Sequence, residues 1–521
     1  MKKNIFYIVI AGCLLLQMTT GCKKSDFKDN YYNPETSVNS TMEGLYGGLF
    51  NNLRVRDRYW ALFTYQVPML GMYSQTTGYL NGTKRYEQAV NYTQDQWNDY
   101  YTSTLASFRE MEKKYATYTD DAGKKGYQLF METAKIFLYD QTAQMIDLWG
   151  DIPFTEAGQL NSTGSLVYAK YDKGKETYDF LIADLKRIAD YLATVQPDAF
   201  YSTQLQKTDY INNGDITKWR KYCNSLRLRL AMRISYVDET KAKTVVQEIL
   251  GNSTQYPIIT AVSDNIQIVA KGPNLLAITN QHERGIQGGM EGTLAPGYML
   301  DSVMKPSADP RLRIFFSKNK NGQYFGVPTG WNSTRQTDSV SANFFSRYDS
   351  VTFSRNDFFP TIILTAAEVN FIKAEAYERW GGGTAKTAYE DGIKRSIEYY
   401  YSIHKLSGYG TQKPEPAALE ITTFLANPTV AYTLDKPTNL ARIATQNWIN
   451  FGVIQNYLGW TELRRTKYPA VTFLPDPGST LSPNVPTRLL YPAGERVFNP
   501  TNYNEVKAAD NVTTKIFWDV R

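Results

Sequence analysis

Apolar residues recur at three- and four-residue spacing through the first half of the chain and again towards its end, the period of amphipathic helices. The spacing predicts helices over Met42–Asn52, Tyr59–Met69 (stopped near Pro68), Gln94–Tyr118 and Tyr127–Leu148, the last ended by Gly150 and Pro153. Glu176–Leu192 and Asp215–Ser235 follow, the latter with Asp215 or Thr217 as N-cap. From about residue 251 to 360 the period breaks up among Gly, Pro, Asn and Ser, so loops and brief strands are expected there. Helices return over Thr365–Trp380, Thr384–Ile403 and Ala441–Tyr457, and residues 469–521 are proline-rich and irregular. The expected fold class is mostly α.

One helix pair says more. Ala374 and Tyr377 are followed by Ala385, Tyr389 and Gly392-Ile393, with small residues where two antiparallel helices touch and large ones between them. That arrangement matches a tetratricopeptide-like unit, or any close-packed helical hairpin. Tyr178, Leu181, Ile182 and Leu185 fit the second helix of another unit, although no strict repeat period runs through the chain.

The N-terminus has a different pattern. Lys2 and Lys3 precede an apolar run from Ile5 to Leu16, too short for a spanning helix, which needs about 20 residues. Small residues Thr19, Thr20 and Gly21 then lead to Cys22. This is the order of a secretory signal, and a cysteine beside the cleavage point offers its thiol for lipidation. Residues 1–21 are accordingly read as a lipoprotein signal peptide, 22–36 as a lipid-anchored tether and 37–521 as one domain. The alternative is an ordinary signal with an accidental cysteine. No later apolar stretch approaches spanning length.

Composition narrows the chemistry. Formal charge is +6, or +4 without Lys2 and Lys3, and no basic block or nucleic-acid motif is present, which sets that class aside. With Cys13 in the signal and Cys22 acylated, Cys223 stands alone, so no intrachain disulfide is available and Cys223 reads as a small buried hydrophobe. Two histidines, His282 and His404, are too few for a His-rich zinc site, and no phosphate loop or nucleophile elbow occurs. Any two of 51 acidic residues could be proposed as a glycosidase pair and none is marked. Neither enzyme activity, cofactor nor metal is expected. Aromatic residues reach 14%, with 39 tyrosines, which suits flat amphipathic surfaces.

Five segments, LWGDIPFTEAGQ (148–159), ITKWRKYCNSLRLRLAMRIS (216–235), TAAEVNFIKAEAYERWG (365–381), YEDGIKRSIEYY (389–400) and NWINFGVIQNYLGWTELRRTKYPAV (447–471), together with the Cys22 motif resemble the SusD/RagB family of nutrient-binding outer-membrane lipoproteins, in its SusD-like branch. The resemblance implies tetratricopeptide-like helix pairs supporting an irregular, loop-rich ligand-binding half. It also implies a cell-surface lipoprotein, held in outer-membrane lipid through Cys22, that binds oligosaccharides and delivers them to a SusC-type TonB-dependent transporter. Peptide capture by the same architecture, or a lid without its own ligand, are the alternatives.

Each motif also has a plain structural reading. Asp151 reads as a turn or cap residue. Lys218, Arg220, Lys221, Arg227, Arg229 and Arg233 read as solvated or locally paired charges, and Arg464 and Arg465 as helix C-terminal charge compensation or a partner contact. For sugar binding, rings stack on sugar faces while amides and carboxylates hold hydroxyls, usually from loops. MYSQTTGYLNGTKRYEQ (72–88) offers Tyr73, Tyr79 and Tyr86; NGQYFGVPTGWNSTRQ (321–336) offers Tyr324, Phe325 and Trp331. Trp331 and Tyr79 are expected on one face, with His282 and Arg284, in the loop QHERG, as added polar contacts. Packing of each ring beneath its own loop is the competing reading.

Overall fold

The computed structural model describes residues 40–52, 54–55, 59–160, 164–269 and 281–521. The signal, the tether and Cys22 lie outside the described residues. The chain divides into the units Met1–Thr41 and Met42–Arg521.

The second unit is mostly helical. Its main helices are α1 (Met42–Phe50), α2 (Asp121–Trp149), α3 (Gly174–Thr194), α4 (Ile216–Arg233), α5 (Ala366–Trp380), α6 (Ala385–Leu406), α7 (Lys436–Phe451) and α8 (Asn456–Thr466). Helix α2 begins earlier than the apolar period predicts because Asp120 caps it, accepting a hydrogen bond from the Gly123 N–H at 2.6 Å. It ends at Gly150, which sits at φ +85°, a conformation glycine adopts without strain. Asp151 then caps the next helix: its Oδ1 accepts from the Gly174 N–H at 2.8 Å and its Oδ2 from Lys173 Nζ at 3.0 Å.

Three expectations need correction. Pro68 does not stop its helix, because Ala61–Leu70 runs at the wider π pitch and continues into Gly71–Tyr73; the wider turn relieves the ring's clash with the preceding carbonyls. The single helix expected over Ala441–Tyr457 is two, α7 and α8, broken where Gly452 takes φ +52°. Two further short helices fall outside those expected: Ala199–Thr208 buries only Leu205 and has little apolar period, whereas Glu239–Gly251 buries Ala242, Val245, Val246 and Ile249 along one face.

The expected hairpin is present: α5 packs along α6, and Ala374, Ala388, Tyr389 and Ile393 are buried between them. Gly392 makes the close approach possible, since a Cβ there would lie 2.7 Å from the Phe371 ring. Helix α4 packs on α3, on α2 and on α5, while α7 packs on α5 and α8. Residues 251–360 are irregular, carrying short helices and the strands β1 (Ile266–Ile268), β2 (Phe316–Ser317) and β3 (Arg347–Tyr348). Strand β4 (Thr361–Leu364) pairs antiparallel with β1, and β2 with β3.

Lys218, Arg220 and Lys221 on α4 are part-exposed, but its other three cations and both arginines of α8 are not solvated. Arg227, Arg229 and Arg233 are buried, and their partners come from elsewhere in the chain: Glu248, Asp140 with Glu368, and Asp147 with Glu462. Arg465 holds Glu375 at 2.5 Å, and Arg464 stacks 3.8 Å from the Trp460 ring while donating to the Asp147 and Thr487 carbonyls. Burial opposes ionisation of Glu462, yet Arg465 and Arg233 outweigh it and hold its carboxyl down at about 2. Both arginines of α8 are therefore internal ties rather than end-of-helix charges. Cys223 is buried as expected, its thiol donating to the Leu185 carbonyl at 3.3 Å and pushed up by burial.

His404 is fully buried on α6. Its Nε2 accepts the Lys413 N–H at 3.0 Å, which places the proton on Nδ1, 2.8 Å from Thr352 Oγ1. Burial lowers its pKa; Asp349, 4.0 Å away, opposes that and Lys413 adds to it. A histidine with a depressed folded pKa binds its proton more readily in the unfolded chain. Stability is therefore expected to hold above the unfolded value of 6.5 and to fall as pH drops from there towards the folded pKa. Urea unfolding of the parent and His404→Gln between pH 8 and 5 checks this: the parent's slope should exceed the variant's by up to one proton, and equal slopes would refute it.

Candidate functional site

Several distant stretches of chain meet at one place on the irregular half. Gly78 donates its N–H to the Leu294 carbonyl at 2.8 Å, Val327 to Ala295 at 2.9 Å, and Gly297 to Val327 at 3.1 Å. Glycine is required at this crossing: a Cβ on Gly78 would lie 2.6 Å from the Ala295 oxygen, and one on Gly297 2.5 Å from the Val327 oxygen. Ser346 closes the layer, donating its N–H to the Phe325 carbonyl at 2.7 Å. Residues 472–476 fix the first loop from behind. Gln75 Nε2 donates to the Thr472 carbonyl at 2.5 Å, and the Asp476 carboxylate accepts from the Arg85 N–H at 2.7 Å.

Asn81 joins the two loops picked out in the sequence. Its Nδ2 donates to the carbonyls of Thr329 and Trp331, each at 2.6 Å, and its own N–H donates to Gln336 Oε1 at 2.5 Å. Its Oδ1 accepts from Arg85 Nη1. Trp331 is half-buried within a ring cluster, with Phe325 at 5.8 Å and Phe345 at 5.9 Å, and Phe344 lies 5.2 Å from Phe325. The Arg335 guanidinium lies 3.5 Å from the centre of the Trp331 ring. That helix, Ser333–Ser341, is started by Asn332, whose side chain accepts from the Arg335 N–H at 2.8 Å. Leu80 is exposed beside Asn81 in the same loop.

The expected rings do not all reach this surface. Tyr73 and Tyr86 are fully buried, donating to the Tyr86 and Leu474 carbonyls at 2.8 and 2.7 Å; they hold the loop and present no face to a ligand. Tyr79 is half-buried, and its hydroxyl is shielded beside Tyr86, so burial and Tyr86 push its pKa up. Tyr324 is half-buried with Lys318 Nζ 5.8 Å over its ring, and its carbonyl accepts from Lys305 Nζ at 3.1 Å. The stretch QHERG is helical and no loop: Arg284 is exposed on Gln281–Met290, a helix that packs through Gly285, Gly288 and Gly289 on Tyr59 and Leu62 rather than on Trp331. The side chain of His282 lies outside the described residues.

Ring-spotting passed over Asn81, Arg85, Arg335 and Gln336, although all four stand inside the two quoted stretches. Their signal was the clustering of amide and guanidinium groups around loop glycines. A cavity of about 900 Å³ lies elsewhere, between Tyr101, Tyr168 and Phe498. The candidate site is a shelf on the surface where these two loops meet, with Trp331 and Tyr79 half-buried and Leu80 and Arg335 exposed. Among the described residues no group of His, Cys, Asp and Glu is placed to hold a metal ion, and no helix is long and apolar enough to cross a membrane.

A family model, SusD-like, described as starch-binding and associating with outer membrane, matches residues 27–492. Similar solved structures include a chitin-binding protein, 23% identical, with a TM-score of 0.73 over 92% of this chain and 100% of that one. A chitin-binding SusD homologue from Flavobacterium johnsoniae is 24% identical, with a TM-score of 0.71 over 92% of this chain and 99% of that one. A SusD homologue from Bacteroides fragilis NCTC 9343 is 20% identical, with a TM-score of 0.71 over 92% of this chain and 100% of that one. At these identities the structures bear on the fold. No curated protein matches the chain.

Proposed function

Given that this chain belongs to the SusD-like family, described as starch-binding and associating with outer membrane, we propose that it is a cell-surface lipoprotein, anchored through Cys22, that binds oligosaccharides and passes them to a SusC-type TonB-dependent transporter. In this reading the chain captures its ligand and does no chemistry on it. One observation carries the ligand class: Asn81 ties the loop of Tyr79 to the carbonyl of Trp331, so an indole ring and the exposed polar residues Asn332, Ser333 and Arg335 share one surface shelf. A sugar ring presents an apolar face to stack and hydroxyls to pair, and that shelf offers partners for both. That two of the solved structures of this fold are chitin-binding supports the same class.

Trp331 supplies the stack, with Tyr79, two residues before Asn81 in the partner loop, as the second ring. Stacked rings contribute about 0.5–1.5 kcal/mol beyond area burial, so a few such contacts give micromolar-to-millimolar capture, weak enough for hand-over. Calorimetry of the unlipidated protein with an oligosaccharide panel is the test. Trp331→Ala is expected to weaken binding about tenfold, with some fall in the thermal midpoint from lost packing on Phe325 and Phe345. Tyr79→Ala should lower the midpoint as well, because its hydroxyl end is shielded in the loop core. Unchanged affinity in Trp331→Ala would take the shelf out of the site.

A further inference from the structure

We propose that the glycan taken by this shelf is anionic, its sugars bearing carboxylate or sulfate groups; this rests on the glycan-binding reading above and names its substrate class. The observation is a pair of arginines without counter-charges. Arg335 is exposed and lies flat against Trp331, 3.5 Å from the ring centre. Its guanidinium makes no hydrogen bond or ion pair among the described residues, so its N–H groups point to no protein acceptor. Arg85 is tied to the same indole residue through Asn81, donating to Asn81 Oδ1, and it also donates to the Pro475 carbonyl at 2.7 Å. Every oxygen its guanidinium meets is neutral, and its Nε is shielded from solvent without a partner.

The acids of these loops are turned to other tasks. Asp476 takes the backbone N–H of Arg85 rather than its guanidinium, Glu87 accepts from Ser479 Oγ at 3.0 Å, and Asp301 accepts from the Gly326 N–H at 2.9 Å. Asp338, on the helix of Arg335, pairs with neither arginine among the described residues. The buried arginines Arg229, Arg233 and Arg465 hold carboxylates, whereas Arg335 is exposed and holds none among the described residues. A planar guanidinium is suited to carboxylate and sulfate oxygens taken two at a time, and stacking on a ring holds its plane ready for that. Arg335 also covers one face of the indole. A neutral sugar has to displace it to stack there, whereas an acidic sugar gains an ion pair from the same group.

Calorimetry with three tetrasaccharides decides the matter: an oligogalacturonate for carboxylate, a chondroitin sulfate fragment for sulfate and a neutral chito-oligosaccharide. At least one anionic ligand is expected to bind about tenfold tighter than the neutral one at low salt, the margin closing as salt screens the pair. Arg335→Gln should weaken anionic binding about fivefold while leaving neutral binding equal or stronger. The side chain is exposed, so an unchanged thermal midpoint identifies the effect as one on binding. Preference for the neutral ligand, or equal loss for all three in Arg335→Gln, overturns the anionic assignment and leaves glycan binding standing. Binding of none of the three overturns both.

Discussion

Arg229→Ala is expected to destabilise the fold by about 3–5 kcal/mol at pH 7, the range seen when one partner of a buried ion pair is removed. Arg229 is fully buried on α4 and grips two carboxylates: Glu368 at 2.6 and 2.8 Å, and Asp140 at 3.1 Å. It donates as well to the Ile363 carbonyl at 3.0 Å, so one guanidinium joins α2, α4, β4 and α5. Without it two carboxylates remain buried with no cation between them. Burial already pushes both upwards against the pull of Arg229. In the variant they would rise further and take up protons in the folded state. A carboxylate whose folded pKa is raised contributes stability at low pH that is lost as pH rises, so the variant's deficit should be smaller at pH 5 than at pH 7. Urea unfolding at both values reads this directly. A deficit under about 1 kcal/mol at pH 7, the range of exposed pairs, would mean the triad is solvated and adds little.

That triad also marks where sequence reasoning stopped. The hairpin α5–α6 was legible because its information is local: small residues at fixed spacing, a threonine cap and a glycine turn all lie within one short stretch. The cap at Asp215 and the turn at Asp151 were legible for the same reason. The buried arginines of α4 were misread because their partners lie 21–229 residues away along the chain, on other helices, and helical spacing holds no record of a partner helix. Gly452 was hidden because the residues on either side of it keep an apolar period, so two helices in sequence read as one. Of the two loops, the place was legible and the roles were not. Tyr73 and Trp331 are both aromatic residues among polar ones. Tyr73, however, sits on the short helix Gly71–Tyr73 against the Trp460 ring, a contact from the far end of the chain that local sequence does not record, while Trp331 stays half-exposed.

Cys22→Ala is expected to move the protein from the outer-membrane fraction to a soluble or uncleaved form. The argument rests on the order of groups in MKKNIFYIVIAGCLLLQMTTGC: cations, a short apolar run, small residues and a thiol. Acyl chains on that thiol would each bury many methylenes at about 0.8 kcal/mol apiece, and two or more chains make the attachment stable. The protein itself supplies little to replace them. No helix among the described residues can cross a membrane, and a formal charge of +4 after removal of Lys2 and Lys3 is too small to hold 500 residues on an anionic surface by itself. Membrane association of the variant would then depend on a protein partner. Fractionation in high salt, with mild detergent kept for extracting the parent, separates the possibilities: release of the variant into the soluble fraction supports the anchor, and parent-like fractionation removes Cys22 from that role. In the parent, a barrel transporter of the SusC type should co-purify from the same detergent extract. Recovery of the lipoprotein alone, with such a transporter expressed in the cell, would break the link between capture on the shelf and uptake across the membrane.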